Sequence, residues 1–436
     1  MRRGKDMLLR RKSMALMLMA VVLMAGLLQG CSFKTDEKDG PGTELVLWTF
    51  NELHEKFFLQ MADQWNQQHP DELINLKANT FPYDNHHSKL SIALQSGVGA
   101  PDIADIEVNK IGNFLKGIPQ LVPLNPVIDP EINNIVPSRV QIYGKDGKYY
   151  GIDFHVGAEV MYYNKEIMDQ AGVNPDSIVT WADYAAAGKQ VLAKTGKPMA
   201  TLETNDLWSY WPMISQQNSD FLDDKGELTL DNETNIKTLE FLQQLVKDKV
   251  AIPSPGGGHH MEEYYGFMNK GGAASVWMPM WYMGRFTDYM PDLKGKIIIR
   301  PMPAWEKGGF RSAGMGGTGT VVTNQSKHQD LAMRFLAFAK LSKQGNVEIW
   351  KQLGFDPIRS EVWTMPEAKA KNKFTEYFGT NIFDTLIEVK DEINAVHIGP
   401  KTPDIASAVR NKILYRTLQN GEDPATVLHE LADELR

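Results

Sequence analysis

Apolar residues alternate between strand-like runs and helical spacing through the first quarter of the chain. The run Glu44-Leu-Val-Leu-Trp-Thr-Phe50 suits a buried strand. Phe57, Phe58, Met61, Ala62 and Trp65 then recur at helical spacing between Glu55 and His69, and Pro70 ends the helix. Leu73 to Asn79 predicts a second strand and His87 to Gln95 a second helix. Gly97-Val-Gly-Ala-Pro101 breaks that helix, and Asp102 to Glu107 restarts as a strand. This alternation predicts an α/β protein with an open, mostly parallel sheet flanked by helices. Ligands gather beyond the carboxyl ends of such strands. Later segments repeat the texture. Tyr149 to His155 and Val160 to Asn164 read as strands, and Lys165 to Ala171 as a short helix closed by Gly172. Trp181 to Thr195, Asn235 to Lys247 and Lys327 to Leu341 have helical periodicity, and Pro253 to Gly258 is a loop.

The N-terminus breaks this pattern. Arg2, Arg3, Lys5, Arg10, Arg11 and Lys12 precede an apolar run from Met14 to Leu28, which is shorter than the roughly 20 residues of a membrane span. That layout predicts a secretory signal over residues 1–30. Leu28-Gln29-Gly30-Cys31 resembles the bacterial lipoprotein signal, in which the thiol takes a diacylglycerol. Cys31 is the only cysteine, so no intrachain disulfide can form. The polar, Gly- and Pro-containing residues 31–43 predict a flexible tether. The implied location is the outer face of a cell membrane, held by lipid, as suits a Gram-positive envelope. Removing residues 1–30, with six basic groups and one acidic, takes the formal charge from −8 to −13. An acidic chain without a basic tract after the signal is unsuited to nucleic acid. The remaining length predicts two domains, and the ten Trp and fourteen Tyr need either cores or ligands.

Four segments, in order, resemble the bacterial extracellular solute-binding proteins of carbohydrate importers, the maltose-binding-protein-like receptors of ATP-binding-cassette systems. They are Leu45 to Phe50 with the helix ending at His69-Pro70, then Ser96 to Glu107. The third comprises Tyr150-Gly-Ile-Asp153, Met161 to Glu166, Ala171-Gly172 and Thr180 to Asp183. The fourth comprises Phe267 to Ala274, Trp277, Trp281, Pro301-Met-Pro303 and Gly316-Gly317. The resemblance implies a two-lobed, type II periplasmic-binding-protein-like fold, each lobe a mostly parallel sheet flanked by helices. Residues 44–155 with 308–327 would form the N-lobe, and residues 156–307 with 328–436 the C-lobe. Chain crossings would act as a hinge near Asp153 to Ala158, Pro301 to Arg311 and Asn324 to Gln329. It implies a monomer without a cofactor that captures a sugar and delivers it to separate transmembrane permease subunits. No phosphate-loop motif occurs in this chain.

A sugar offers C–H faces and a rim of hydroxyls, so its complement is an aromatic surface flanked by carboxylates, amides and imidazoles. Trp208, Tyr210 and Trp211 form one candidate cluster and Trp277 and Trp281 another, with Trp305 next. Trp48 ends a strand, and Asn51, Glu52 and His54 follow it in the loop that should open into the cleft. Glu107 holds the corresponding place after another strand and is the first candidate carboxylate. Asp153 and His155 lie at the expected hinge, where relatives usually carry Pro in place of Asp153. Glu203 and Asp206 are weaker candidates. Trp350 and Arg359 resemble cleft-lining residues of relatives. Several aromatic clusters suit an oligosaccharide, an arabinose-containing or similar plant-derived one among the candidates. The sequence does not choose among sugars.

Gly314-Met-Gly-Gly-Thr-Gly319 matches a dinucleotide fingerprint, but the residues after it are strand-like rather than helical. The expectation is a turn at the cleft, with Gly316 and Gly317 near ligand. His86-His87 and His259-His260 lack further ligands at zinc spacing and read as exposed loop histidines. The rival function is a secreted glycoside hydrolase, which would also set aromatics beside paired carboxylates. No adjacent carboxylate pair or nucleophile motif supports it.

Overall fold

The computed structural model describes residues 41–436. The expected signal, Cys31 and most of the tether lie outside the described residues. A four-stranded sheet opens the fold. Strand β1 (Thr43–Thr49) pairs in parallel with β2 (Ile74–Thr80) and β3 (Ile103–Glu107). The strand Thr318–Val322 joins β3 antiparallel, Thr320 opposite Asp105. Side-chain alternation splits the sheet between two apolar layers. Leu45, Leu47, Ile103 and Val322 face one layer, while Trp48, Ala104, Ile106 and Val321 face the other.

Helix α1 (Glu52–Gln68) covers the first face with Phe57, Phe58, Met61 and Trp65. It starts where the Asn51 side chain accepts the Leu53 N–H, and Glu52 and Glu55 complement the helix dipole in its first turn. Helix α2 (Tyr83–Ser96) covers the second face with Leu90, Ala93 and Leu94. The helix Gln329–Lys340, which the sequence grouped with the second lobe, instead lays Leu331, Phe335 and Leu336 into the core of α1. It follows the 318–322 strand by a short turn, so the chain has not left the first core.

A second core forms around the strand Glu159–Asn164, which lies between Ser275–Pro279 and Ile297–Arg300 and runs antiparallel to both. A mostly parallel sheet was expected here. The alternation rule applies to strands joined by one crossover, whereas the neighbours of 159–164 arrive more than a hundred residues later. Trp181, Tyr184 and Trp277 pack together in this core.

Three stretches pass between the cores. Phe154 packs in the first and Val156 in the second. Met315 packs in the second and Val322 in the first. The third stretch runs through Asp356, whose carbonyl accepts Val156 N–H at 2.9 Å. The stretches are tied to one another, with Ile152 and Thr320 exchanging backbone bonds of 3.1 and 2.9 Å and Met315 N–H reaching Gly157 O at 2.8 Å. The second and third passages thus lie near residues 316–317 and 356, not at 301–311 and 324–329 as expected. Among the described residues no helix is long and apolar enough to cross a membrane.

Phe335 is fully buried against Phe58 and Trp65. Phe335→Ala is expected to destabilise the protein by about 3–5 kcal/mol, the range for large aromatic deletions, read from the shift in a urea unfolding midpoint.

Candidate functional site

The carboxyl ends of β1 and β3 open onto a cavity of about 240 Å³ between the two cores. Phe50, Asn51 and His54 enter it from the turn into α1, and Glu107 from the end of β3. Trp208, Trp281, Arg285 and Asp288 enter from the second core. Gly316, Gly317 and His155 lie on the passages between the cores. A larger hollow, about 610 Å³, opens beside Gly112, Gln141 and Gly399 and holds none of the predicted residues.

Trp208 and Trp281 meet edge to face, with centroids 5.1 Å apart. The indole N–H of Trp281 donates to Met315 O at 3.1 Å, which fixes its ring beside the Gly316 turn. A Cβ on Gly316, at φ +73°, would come within 3.0 Å of Trp281 Nε1 and 3.5 Å of Trp208. Any side chain there would push against both rings. At Gly317, φ +143°, a Cβ would lie 2.5 Å from both Arg139 and Asp153.

Beneath that turn Asp153 is fully buried. Its Oδ2 receives Arg139 Nη2 at 2.6 Å and Tyr143 O–H at 3.2 Å, and its Oδ1 receives the N–H groups of Phe154 at 2.8 Å and Thr318 at 3.0 Å. Burial pushes its pKa up, but the Arg139 charge and these bonds outweigh it and hold the carboxyl below its usual value. Arg139 also donates to Gly316 O at 2.6 Å. Asp153 therefore supports the turn from behind and does not line the cavity.

Glu107 caps helix α3 (Val108–Phe114), accepting the Asn109 N–H at 2.9 Å, the Asn109 side-chain amide at 3.0 Å and Tyr83 O–H at 2.9 Å. Desolvation outweighs these bonds and pushes its pKa up to about 7. Burial drives His155 down to about 3, so its ring is neutral. It packs edge to face on Phe355, 5.0 Å between centroids. His54 is held by Asp105 at 3.0 Å, which also accepts from Thr49 and Thr320 at 2.7 Å each.

Of the predicted residues, Asn51, His54, Glu107, His155, Trp208, Trp281, Gly316 and Gly317 meet in this cavity. The others lie elsewhere. Trp48 packs on Phe81 under the Lys89 ammonium, and Glu52 is exposed on the first turn of α1. Tyr210 donates to Asn235 O at 2.9 Å, Trp211 to Asp220 at 2.7 Å and Trp277 to Ser209 O at 3.3 Å, all within the second core. Trp305 is half-buried beside residues 216–218, bonded to Met213 O at 2.9 Å. Trp350 is fully buried against Phe374 and Phe383. Arg359 is locked between Glu131 and Glu361. Glu203 is a core carboxylate accepting the Trp208 and His259 N–H groups, and Asp206 pairs with Arg410 at 3.1 Å. The histidine pairs are not exposed loops. His86, His87 and His259 are buried; His86 sits 2.6 Å from Asp105 O, His87 2.8 Å from Tyr83 O and His259 3.0 Å from Thr201 Oγ1. Among the described residues no group of three His, Cys, Asp or Glu is placed to hold a metal ion.

Phe50, Leu53, Arg285, Asp288, Thr318, Leu353, Phe355 and Lys373 also line the cavity and were not predicted. Phe50 closes the same strand as Trp48, and its position just past the strand end was the available signal. Arg285 lies four residues after Trp281 on a helical turn. Lys373 carries no sequence signal.

Residues 51–346 match the model for bacterial extracellular solute-binding proteins. The chain belongs to that family. It is a family of binding proteins, not of enzymes, which sets aside the hydrolase reading. The chain of this solute-binding protein is 51% identical over 431 residues to an arabinooligosaccharide-binding protein of Bacillus subtilis, covering 98% of this chain and 99% of that protein. A second arabinooligosaccharide-binding protein, from Halalkalibacterium halodurans, is 52% identical over 385 residues, 88% of this chain and 86% of its own. Among solved structures, the sugar-binding protein MalE from Xanthomonas citri superposes with a TM-score of 0.77 at 18% identity, covering 90% of this chain and 96% of that one, and shares the fold.

Raising an acid's pKa in the folded state means that the fold holds its proton more tightly than the unfolded chain does. Stability from Glu107 is then fully present below about pH 4.5 and is lost as the pH rises towards about 7. Glu107→Gln is expected to remove that slope, so chemical unfolding measured across this window should show wild type losing stability relative to the variant as the pH rises.

Proposed function

We propose that this protein captures an arabinose-containing oligosaccharide in the cavity between its two cores and hands it to a membrane permease. The observation that carries this reading is the juxtaposition, at the carboxyl ends of β1 and β3, of the Trp208–Trp281 pair with Glu107, Asn51 and His54. Indole faces suit sugar C–H surfaces, and the carboxyl, amide and imidazole read hydroxyls. The two relatives above half identity, both named for arabinooligosaccharide, support the choice of sugar.

At about 240 Å³ the cavity is smaller than the roughly 300–1,000 Å³ of most ligand pockets. An oligosaccharide enters when the cores part about the three passages, which act as the hinge of two lobes. Ligand contacts from both lobes favour the closed form, and only that difference in affinity drives closure. The permease and its ATPase are separate chains. Cys31, after Leu28-Gln29-Gly30, carries the lipid that holds the receptor on the outer face of the membrane, and several acyl chains give persistent anchoring where one is marginal.

Tryptophan fluorescence titrated with arabinooligosaccharides is expected to change saturably, with the sugar recovered intact by chromatography. Cleaved sugar would establish a hydrolase instead, and silence across arabino-, galacto- and malto-oligosaccharides would remove the sugar assignment. Trp281→Ala is expected to weaken binding about tenfold or more with little change in melting temperature. Trp277→Ala is expected to do the reverse, costing about 3–5 kcal/mol of stability.

A further inference from the structure

The amino ends of the first sheet's parallel strands carry unusually bare apolar side chains. Among the described residues the three most exposed large hydrophobics are Ile118 at 86%, Val98 at 71% and Ile92 at 67%, with the next at 51%. Ile92 lies near the end of α2 and Val98 in the turn that leads into β3, whereas Ile118 is in the turn after α3. One further turn brings these segments together. Gln325 donates to Ala93 O at 2.8 Å and accepts the Ala100 N–H at 3.1 Å, and the N–H of its neighbour Asn324 donates to Gln120 O at 3.2 Å. Gln120 donates in turn to Ile118 O at 3.2 Å. The Asn324–Gln325 turn thus ties both apolar tips to one end of the sheet.

That end is also where the chain enters the fold. β1 begins at Thr43 and its parallel neighbour β3 at Ile103, and Asp102 accepts the Val46 N–H at 2.8 Å. Ser326, next to Gln325, bonds to Asp102 and lines one hollow with Thr43. Twelve residues lead from Cys31 to Thr43, a reach of at most roughly 40 Å. A lipid on Cys31 keeps this end of the sheet within reach of the bilayer.

The tips suit lipid better than a fitted partner. A Cβ on Gly97, Gly99 or Gly117 would meet nothing within 4 Å, so both turns are open to solvent. Open, projecting tips offer no groove for a matching protein surface, whereas the boundary between headgroups and acyl chains takes up apolar side chains without shape complementarity. No Asp or Glu occurs in residues 85–101, 108–128 or 323–329, although the whole chain carries a formal charge of −8. Lys116 and Lys327 stand exposed in those segments and suit lipid phosphates. The exposed acids Glu44 and Asp330 adjoin Thr43.

We infer that the Ile92–Val98–Ile118 end of the first core is a membrane-contact surface, on which the tethered receptor rests between encounters with its permease. The inference rests on the lipid-anchor reading above. Tethering raises the effective concentration of the body at the bilayer, so a contact too weak to form from solution is populated and still exchanges readily. β1 and β3 point their carboxyl ends the other way, which leaves the tryptophan cavity towards the medium from which sugar arrives.

The test uses residues 31–436 with Cys31→Ser, held on nickel-chelating vesicles of phosphatidylcholine and phosphatidylglycerol by a hexahistidine placed before residue 31. Loss of the only cysteine allows one nitrobenzoxadiazole label at Gln95→Cys, beside the tips, or at Tyr415→Cys, exposed on the second core. On vesicles the label at position 95 is expected to brighten and shift to the blue, and the label at 415 to stay unchanged. Ile92→Ser, Val98→Ser and Ile118→Ser together should abolish the change at 95 while melting temperature and sugar affinity are retained. In parallel, the full chain made in a Gram-positive host is fed labelled palmitate. Palmitate on Cys31 with no change at position 95 overturns the contact and leaves the anchor standing. No palmitate on Cys31 overturns the anchor reading and the proposal with it. Equal changes at 95 and 415 would mean unspecific adsorption, and a change at 95 that needs only higher protein concentration would mean a second copy on the patch; either overturns the lipid assignment.

Discussion

Asp153 and Arg139 form an ion pair with no access to water, placed where the chain leaves the first core for the second. Charges removed from water must be paired and hydrogen-bonded or they destabilise the fold by several kcal/mol. Arg139 Nη2 also donates to Gly316 O and Asp153 Oδ1 accepts the Thr318 N–H, so the pair's hydrogen bonds hold the second passage, although Arg139 Nε and Nη1 have no partner among the described residues. The Gly316–Gly317 turn follows from this, and with it the position of Trp281, which bonds to the adjacent Met315 carbonyl. Lys340 closes the same assembly, reaching Ile152 O at 2.5 Å and Thr320 Oγ1 at 2.7 Å from the helix Gln329–Lys340. Burial pulls its pKa down to about 7.

The site and the cores draw on the same residue types, and that governs how far chemistry could be read in advance. Trp277 and Trp281 lie four residues apart around Pro279. The first points inward from a strand covered on both faces, and the second sits in the turn beyond the strand's end. Carboxylates behave likewise. Glu107 at a strand end reaches the cavity, whereas Glu203 is sequestered under Trp208. An indole or a carboxyl becomes available to a ligand only where a strand stops and its neighbours do not cover it.

Family resemblance made the two-body architecture legible, and strand ends made part of the site legible. Asn51, His54 and Glu107 were found because the rule about carboxyl ends of parallel strands depends on local order along the chain. Trp350 and Arg359, two of the candidates that lie outside this cavity, were carried from relatives without local support. Their surroundings, Phe374 and Phe383 for one and Glu131 and Glu361 for the other, come from distant segments.

What the sequence determined by itself is what depends on near neighbours. Helical and strand periodicity placed most elements of the first core to within a few residues, Asn51 and Glu107 marked positions just past or at strand ends, and the glycines at 316 and 317 marked a turn. The tertiary structure alone decided the antiparallel order of the second sheet, the membership of the Gln329–Lys340 helix in the first core, and the placing of Asp153 behind the cavity. Each of these depends on which distant segment arrives alongside. That is settled by packing two apolar cores and pairing the charges buried between them, which no local window of residues contains.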